Sequence, residues 1–268
     1  MRRAPSVFVA HGAPSLALED DAVTRALRAF GETVDGSRAI AVVSAHWQTR
    51  GAIRVNAVAR PEVIYHFGGF SPELYTLRYD APGDPALASE IAAILGASLE
   101  TERGWDHGVW VPLMHLRPRA DLPIVEISLP MPARAEELLE LGRKLAPLRD
   151  RGVVVMGTGG IVHNLRRINF AGTDAPAEEW AKAFDRWVAE RIASRDFAAL
   201  ARYEEGPHAS DAVPTPEHYE PLLVAAGAAR EDDDLTTITE AFHFGTLSMR
   251  SVAFGANIAR GPAVETRD

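Results

Sequence analysis

Four short runs of β-branched and small apolar residues mark the chain: Val7 to Ala10, Ile40 to Val43, Ile124 to Leu129 and Val153 to Met156. Each is apolar at consecutive rather than alternate positions and is bounded by glycine, proline or charge. That is the pattern of strands buried on both faces of a parallel sheet. Between them the apolar period lengthens to that of a helix. In "DPALASEIAAILGASLE" Asp84 can cap, Pro85 suits the first helical position, and Leu87, Ile91, Ile94, Leu95 and Leu99 fall on one face. "ARAEELLELGRKLAPL" repeats the arrangement with Leu138, Leu141, Leu145 and Leu148. A long helix is predicted through "AEEWAKAFDRWVAERIASRDFAALARY", with Trp180, Phe184, Trp187, Ile192 and Leu200 inward.

Such alternation of strands and helices predicts an α/β fold, a mostly parallel central sheet flanked by helices. The C-terminal "HFGTLSMRSVAFG" sets Leu247 and Met249 against Ser248 and Arg250. It reads as an antiparallel strand with one solvated face, a smaller antiparallel contribution to the sheet. The tail after Ala259 is polar and expected to fray. No linker, repeat or low-complexity segment interrupts residues 1–268, so a single catalytic domain is expected.

Charge and composition narrow the partners. A formal charge of −9 argues against nucleic acid, which calls for a basic stripe. No apolar run approaches the roughly 18–20 residues of a membrane span. The first fifteen residues, "MRRAPSVFVAHGAPS", are too briefly apolar for a signal segment and read as the first strand, so a cytoplasmic setting is the expectation. Without cysteine there are no disulfides, thiolate metal sites or thiol nucleophiles. Any metal must be held by nitrogen and oxygen.

Histidines supply the candidate chemistry. His11, His46 and His163 each follow a predicted strand and its small residues, where the loops of an open α/β sheet form a ligand crevice. His218 lies in "VPTPEHYEPLL"; with Thr215 as cap and Pro216 as first helical residue, it falls in a first turn whose dipole favours the neutral ring. His107, in the Gly- and Trp-rich "GWDHGVWVPL", is placed in a loop that can wall a pocket. The residues alone leave two readings open, a shared metal site or several ordinary hydrogen-bonded histidines. His66, His115, His208 and His243 lack such context and read as structural or solvated.

Other motifs are set aside. "GTGG" at Gly157 to Gly160 lacks the Lys-Ser/Thr of a P-loop and the spacing of a dinucleotide fingerprint. It suggests instead a close approach of backbone to a ligand. Ser15 and Ser44 stand near histidines but not in a nucleophile elbow.

Seven blocks occur in order: "VFVAHGAPS", "VVSAHWQT", "YHFGGFSPELYTLRYDAPGDP", "GWDHGVWVPLMHL", "MGTGGIVHNLRR", "PTPEHYEPLL" and "FGTLSMRSVAFG". Together they resemble the class III extradiol ring-cleavage dioxygenase family, in its DOPA 4,5-dioxygenase branch. The resemblance implies that His11, His46 and His218 are metal ligands. His163 matches the histidine beside the metal, either the acid–base residue or a further ligand, and His107 matches a pocket histidine that is a second choice for proton transfer. Two positions depart from the pattern: Val213 stands where relatives often have histidine, and His66 where they often have aspartate.

The implied reaction opens a catechol ring beside its hydroxyls, with Fe(II) binding the substrate and O2 together. No acidic residue stands in a comparable block; Glu217 adjoins His218 and Glu240 is more remote. An all-histidine set would suit Zn(II) as well, and isolated protein can carry it. A zinc-dependent hydrolase using a His-bound water, or a non-catalytic ligand-binding member, are therefore the alternatives. Trp47 and Trp105 are expected to do no more than pack.

Overall fold

The structure, a computed structural model, describes residues 3–256; the expected fraying after Ala259 lies outside them. In chain order the first half contains β1 (Ser6–Ala10), α1 (Ala22–Gly31), β2 (Ala39–Arg50), β3 (Arg54–Asn56), α2 (Pro85–Leu95), β4 (Ser98–Glu100), α3 (His107–Leu116) and β5 (Ile124–Met131). Then come α4 (Ala135–Arg149), β6 (Val153–Gly159), α5 (Glu179–Ser194), α6 (Phe197–Ala201), α7 (Ala209–Ala212) and α8 (Glu220–Gly227). Four strands complete the described residues: β7 (Leu235–Thr239), β8 (Phe242–His243), β9 (Leu247–Ser248) and β10 (Ser251–Phe254).

Eight strands form one sheet in the order β4-β3-β5-β2-β6-β1-β10-β7, and β8-β9 form a separate antiparallel pair. The centre, β5-β2-β6-β1, is parallel throughout, whereas β10 and β7 are antiparallel. All four apolar runs are strands of that centre. Their side chains alternate between two cores. Phe8, Ala41, Val43 and Val155 join α2, α4, α5 and α8 on one face. Val7, Val9, Val42 and Met156 join α1 and α3 on the other. Double-sided burial explains why these runs show no polar alternation.

Local signals set the helix ends. Asp84 Oδ1 accepts the Leu87 N–H at 2.9 Å, Pro85 opens α2, and Gly96 closes it in the left-handed region at φ 64°. Leu138, Leu141, Leu145 and Leu148 of α4 are buried as the period requires.

Three expectations need correction. In the first, Leu87 and Ile91 are buried, but Ile94 lies on the exposed side of the helix, and Leu99 is exposed because the helix stops before it and it belongs to β4. In the second, the long helix is two: Arg195 turns left-handed at φ 57°, and Asp196 caps α6 by accepting the Ala199 N–H at 3.0 Å. In the third, the C-terminal alternation is not a solvated face. Ser248 is buried, its hydroxyl donates to Asp185 at 2.6 Å, and Arg250 pairs with the same carboxylate at 2.7 Å. The strand proper begins later, as β10, and lies antiparallel on β1.

Arg149 closes the fold at the end of the sheet where β1 begins. Its five N–H groups donate to the carbonyls of Ala4, Ala228 and Phe254 and to both carboxylate oxygens of Asp233, at 2.6–3.1 Å. Among the described residues no helix is long and apolar enough to cross a membrane.

Candidate metal centre and its cavity

Because β1, β2 and β6 are parallel neighbours, their carboxyl ends open on one crevice. His11 follows β1 directly, and its N–H donates to the Gly159 carbonyl at the end of β6, 3.1 Å away. His46 lies within β2 rather than beyond it. Val43 pairs with Ile127 and Gln48 with Leu129, so residues 44–47 stand opposite Ser128 alone. This bulge turns His46 out of the ladder toward the crevice while the strand continues.

His218 ends a 3-10 turn, Pro216–His218, rather than lying in an α-helix. Thr215 takes the capping backbone position, but its hydroxyl donates to the Glu217 carboxylate at 2.7 Å. The turn is seated on β6, with the Gly160 N–H donating to the His218 carbonyl at 2.8 Å. A Cβ on Gly159 would lie 2.0 Å from that carbonyl oxygen, and one on Gly157 would lie 2.0 Å from the Pro221 carbonyl oxygen. The "GTGG" glycines therefore admit the backbone that carries His218, not a ligand.

The ring nitrogens of His11, His46 and His218 all lie within 4.8 Å of one another. Nε2 of His11 and Nε2 of His46 approach to 3.1 Å. Neighbours fix two of the tautomers. Thr158 spends its hydroxyl proton on the Gly108 carbonyl (2.8 Å), so its oxygen accepts from His11 Nδ1 at 3.1 Å, leaving Nε2 a lone pair. Glu217 accepts from His218 Nδ1 at 3.1 Å, and His218 Nε2 is buried without a partner. Burial and the neighbouring rings hold His11 well below the usual histidine range and push His46 down to about 2, so both are neutral. Three imidazoles with converging ring nitrogens fit a borderline divalent metal.

The carboxylates stay outside this triad. Glu217 faces the far nitrogen of His218, held down to about 2 because hydrogen bonds from His218 and Thr215 outweigh burial. Glu240 pairs with Arg250 at 3.3 Å on the surface.

His163 stacks on His218 with ring centroids 3.5 Å apart and planes 7° from parallel. Burial and His218 push it down to about 3. His107 is the first residue of α3, not part of a loop, and its ring centroid lies 3.9 Å from that of His46. Burial lowers it to about 4. His66, which its sequence context left as structural or solvated, instead stands beside both, 5.6 Å from His46 and 5.0 Å from His107 between centroids. His115 and His243 are structural as expected, bonded to the Leu16 carbonyl at 2.7 Å and to Asp21 at 2.9 Å. Val213 packs in the apolar core, so His218 and no residue at that position completes the triad.

Beneath His46 and His107 lies a buried ionic cluster that the histidine pattern did not reveal. Asp106 accepts from Ser44 at 2.7 Å and from Arg103 at 2.9 Å. Burial opposes its ionisation, yet these partners and the adjoining Glu126 and His46 hold it down to about 2. Burial and the Asp106 charge push Glu126 well above the usual carboxyl range. The one sequence signal was the position of Asp106, immediately before His107.

Above the histidines opens a cavity of about 520 Å³, lined on its floor by His11, His46, His107, His163 and His218. Trp47 and Trp105 are not part of its lining. Trp47 packs under the Arg103 guanidinium, 4.9 Å from its ring centre, and the Trp105 N–H donates to the Ala81 carbonyl at 3.3 Å.

Residues 6–255 match the family described as the catalytic LigB subunit of aromatic ring-opening dioxygenase. The chain belongs to the LigB family. Among curated relatives, the 4,5-DOPA dioxygenase extradiol of Escherichia coli (strain K12) is 39% identical over 260 residues, covering 94% of this chain and 95% of that protein. The 4,5-DOPA dioxygenase extradiol of Beta vulgaris is 35% identical over 260 residues, covering 92% and 95%. A crystal structure of an uncharacterized protein from Escherichia coli K12 superposes with a TM-score of 0.80 at 34% identity, covering 94% of this chain and 100% of that one. As a LigB protein the chain is a metal-dependent extradiol dioxygenase, an enzyme that opens aromatic rings.

Proposed function

We propose that this LigB enzyme cleaves a catechol beside its two hydroxyls, holding Fe(II) through His11, His46 and His218. The observation that carries the reading is the convergence of three imidazoles, their ring nitrogens within 4.8 Å, on the floor of a cavity. Bound there, ferrous iron would supply the redox chemistry that lets dioxygen react with a catecholate.

The chain's own residues do the rest. Three histidines leave room for substrate oxygens beside them, and the cavity walls orient the ring. His163, stacked on His218 but outside the triad, takes the proton of a catechol hydroxyl on its neutral ring. The burial that keeps it neutral disfavours its protonated form, so the proton is passed on to the opening ring. His107 faces the same cavity and is the second candidate for proton transfer. Residues 1–268 act in this reading as one catalytic domain. The same donor set takes Zn(II), and protein isolated without added iron can hold it.

Protein loaded anaerobically with Fe(II) and then given air and a panel of catechols should form a yellow semialdehyde. His11→Ala or His46→Ala should lose most of the bound metal by elemental analysis. His163→Ala should keep it while turnover falls by about 10²–10⁴. Loss of metal from that variant would make His163 a ligand. Hydrolytic activity needing only zinc, or inertness with either metal, would overturn ring cleavage.

A further inference from the structure

We propose that the cavity selects catechols bearing an uncharged, apolar substituent over those bearing a charged amino-acid side chain. The inference rests on the ring-cleavage reading for the catechol itself, but its basis is the wall. Away from the histidines the cavity is bounded by Phe67, Phe70, Leu165, Ile168, Phe170 and Phe244. None of its lining residues is Asp, Glu, Lys or Arg.

Three charged groups on the adjoining segments are engaged elsewhere. Arg103 pairs with Asp106, Arg167 pairs with Asp211 at 2.6 Å and stacks on Trp180, and Glu217 is bonded to His218. Arg166, on the exposed turn between Leu165 and Arg167, is not a lining residue. A carboxylate placed against these phenyl rings would lose water and gain no partner, and an ammonium would gain only a weak cation–π attraction.

A second observation points the same way. Phe170 is 90% exposed and Leu165 58% exposed, the two most exposed large apolar side chains among the described residues, and both line this one cavity. Scattered surface apolar groups are ordinary, but two that meet at the rim of a reactive pocket form a patch for a ligand to cover. A four-carbon chain laid on that rim should tighten binding by on the order of tenfold to a hundredfold.

Binding and reaction separate cleanly without dioxygen. Anaerobic calorimetry on the Fe(II)-loaded protein should give 4-butylcatechol a Kd at least about tenfold below that of L-DOPA. Phe170→Ser and Leu165→Ser, at exposed positions that should leave the melting temperature in place, should each shrink that ratio by about threefold or more. Equal or tighter binding of L-DOPA, or a ratio untouched by both substitutions, overturns the selectivity. Air is then admitted. A binding preference without ring-opened product would sink the cleavage reading and leave the selectivity standing. Semialdehyde formed with higher kcat/KM from L-DOPA than from 4-butylcatechol would do the reverse.

Discussion

His218 can offer a lone pair toward His11 and His46 only while its proton sits on Nδ1, and the Glu217 carboxylate 3.1 Å from that nitrogen holds it there. Thr158 does the same for His11 with a hydroxyl. Such outer partners set ring orientation and basicity, and their loss commonly weakens metal binding 10- to 100-fold. Glu217→Ala should therefore lower metal affinity by about that factor in a chelator-competition titration, while Glu217→Gln, which keeps an acceptor oxygen, should fall less. An unchanged affinity in Glu217→Ala would remove this role. His11, His46 and His163 were legible because apolar strands deliver them to one crevice, His218 because a capped turn carries it, and His107 from its Gly- and Trp-rich block. His66 was not, since it follows no strand and its neighbours His46 and His107 are distant in sequence. Glu217 was visible beside His218 but not which nitrogen it would face.

At the scale of elements, two devices position the triad: the bulge of β2 and the glycine edge of β6. The runs at Val7, Ile40, Ile124 and Val153 announced their strands because burial on both faces leaves consecutive apolar residues. Nothing in "SAHWQT" announced that β2 continues past His46, since a bulge is a matter of pairing with β5. Nor did the helical period reveal the break at Arg195, a residue type with no special preference for the left-handed region. "GTGG" was legible as a demand for close approach, and the approaching group was the part left unread. Gly159→Ala sets a methyl 2.0 Å from the His218 carbonyl, so the turn must move. We expect a loss of about 1–3 kcal/mol in urea unfolding together with weakened metal binding. A variant that loses stability yet binds metal normally would show that the seat of His218 tolerates displacement.

For the molecule as a whole, the α/β class and the antiparallel C-terminal contribution followed from the alternation of periods, and the LigB match extends across the same span. The Arg149 hub could not be foreseen. Its partners come from four separate places in the sequence, and an arginine late in a helix is ordinarily a solvated one. Asp233 neutralises it in a site where both side chains are buried. Removing one member of such a pair leaves the other uncompensated, so Asp233→Ala should cost about 3–5 kcal/mol by urea denaturation. A cost under about 1 kcal/mol would mean that the three carbonyls suffice.

The same guanidinium has a topological consequence. It grips Ala4 and Phe254 together, at the end of the strands opposite the one at which β1 delivers His11. Residues 250 positions apart in the chain thus sit within one side chain's reach. A short linker could join them into a closed ring, and new ends could be cut into an exposed loop elsewhere. Such a circularly permuted protein would rearrange the order of its blocks while leaving the three histidines where they are.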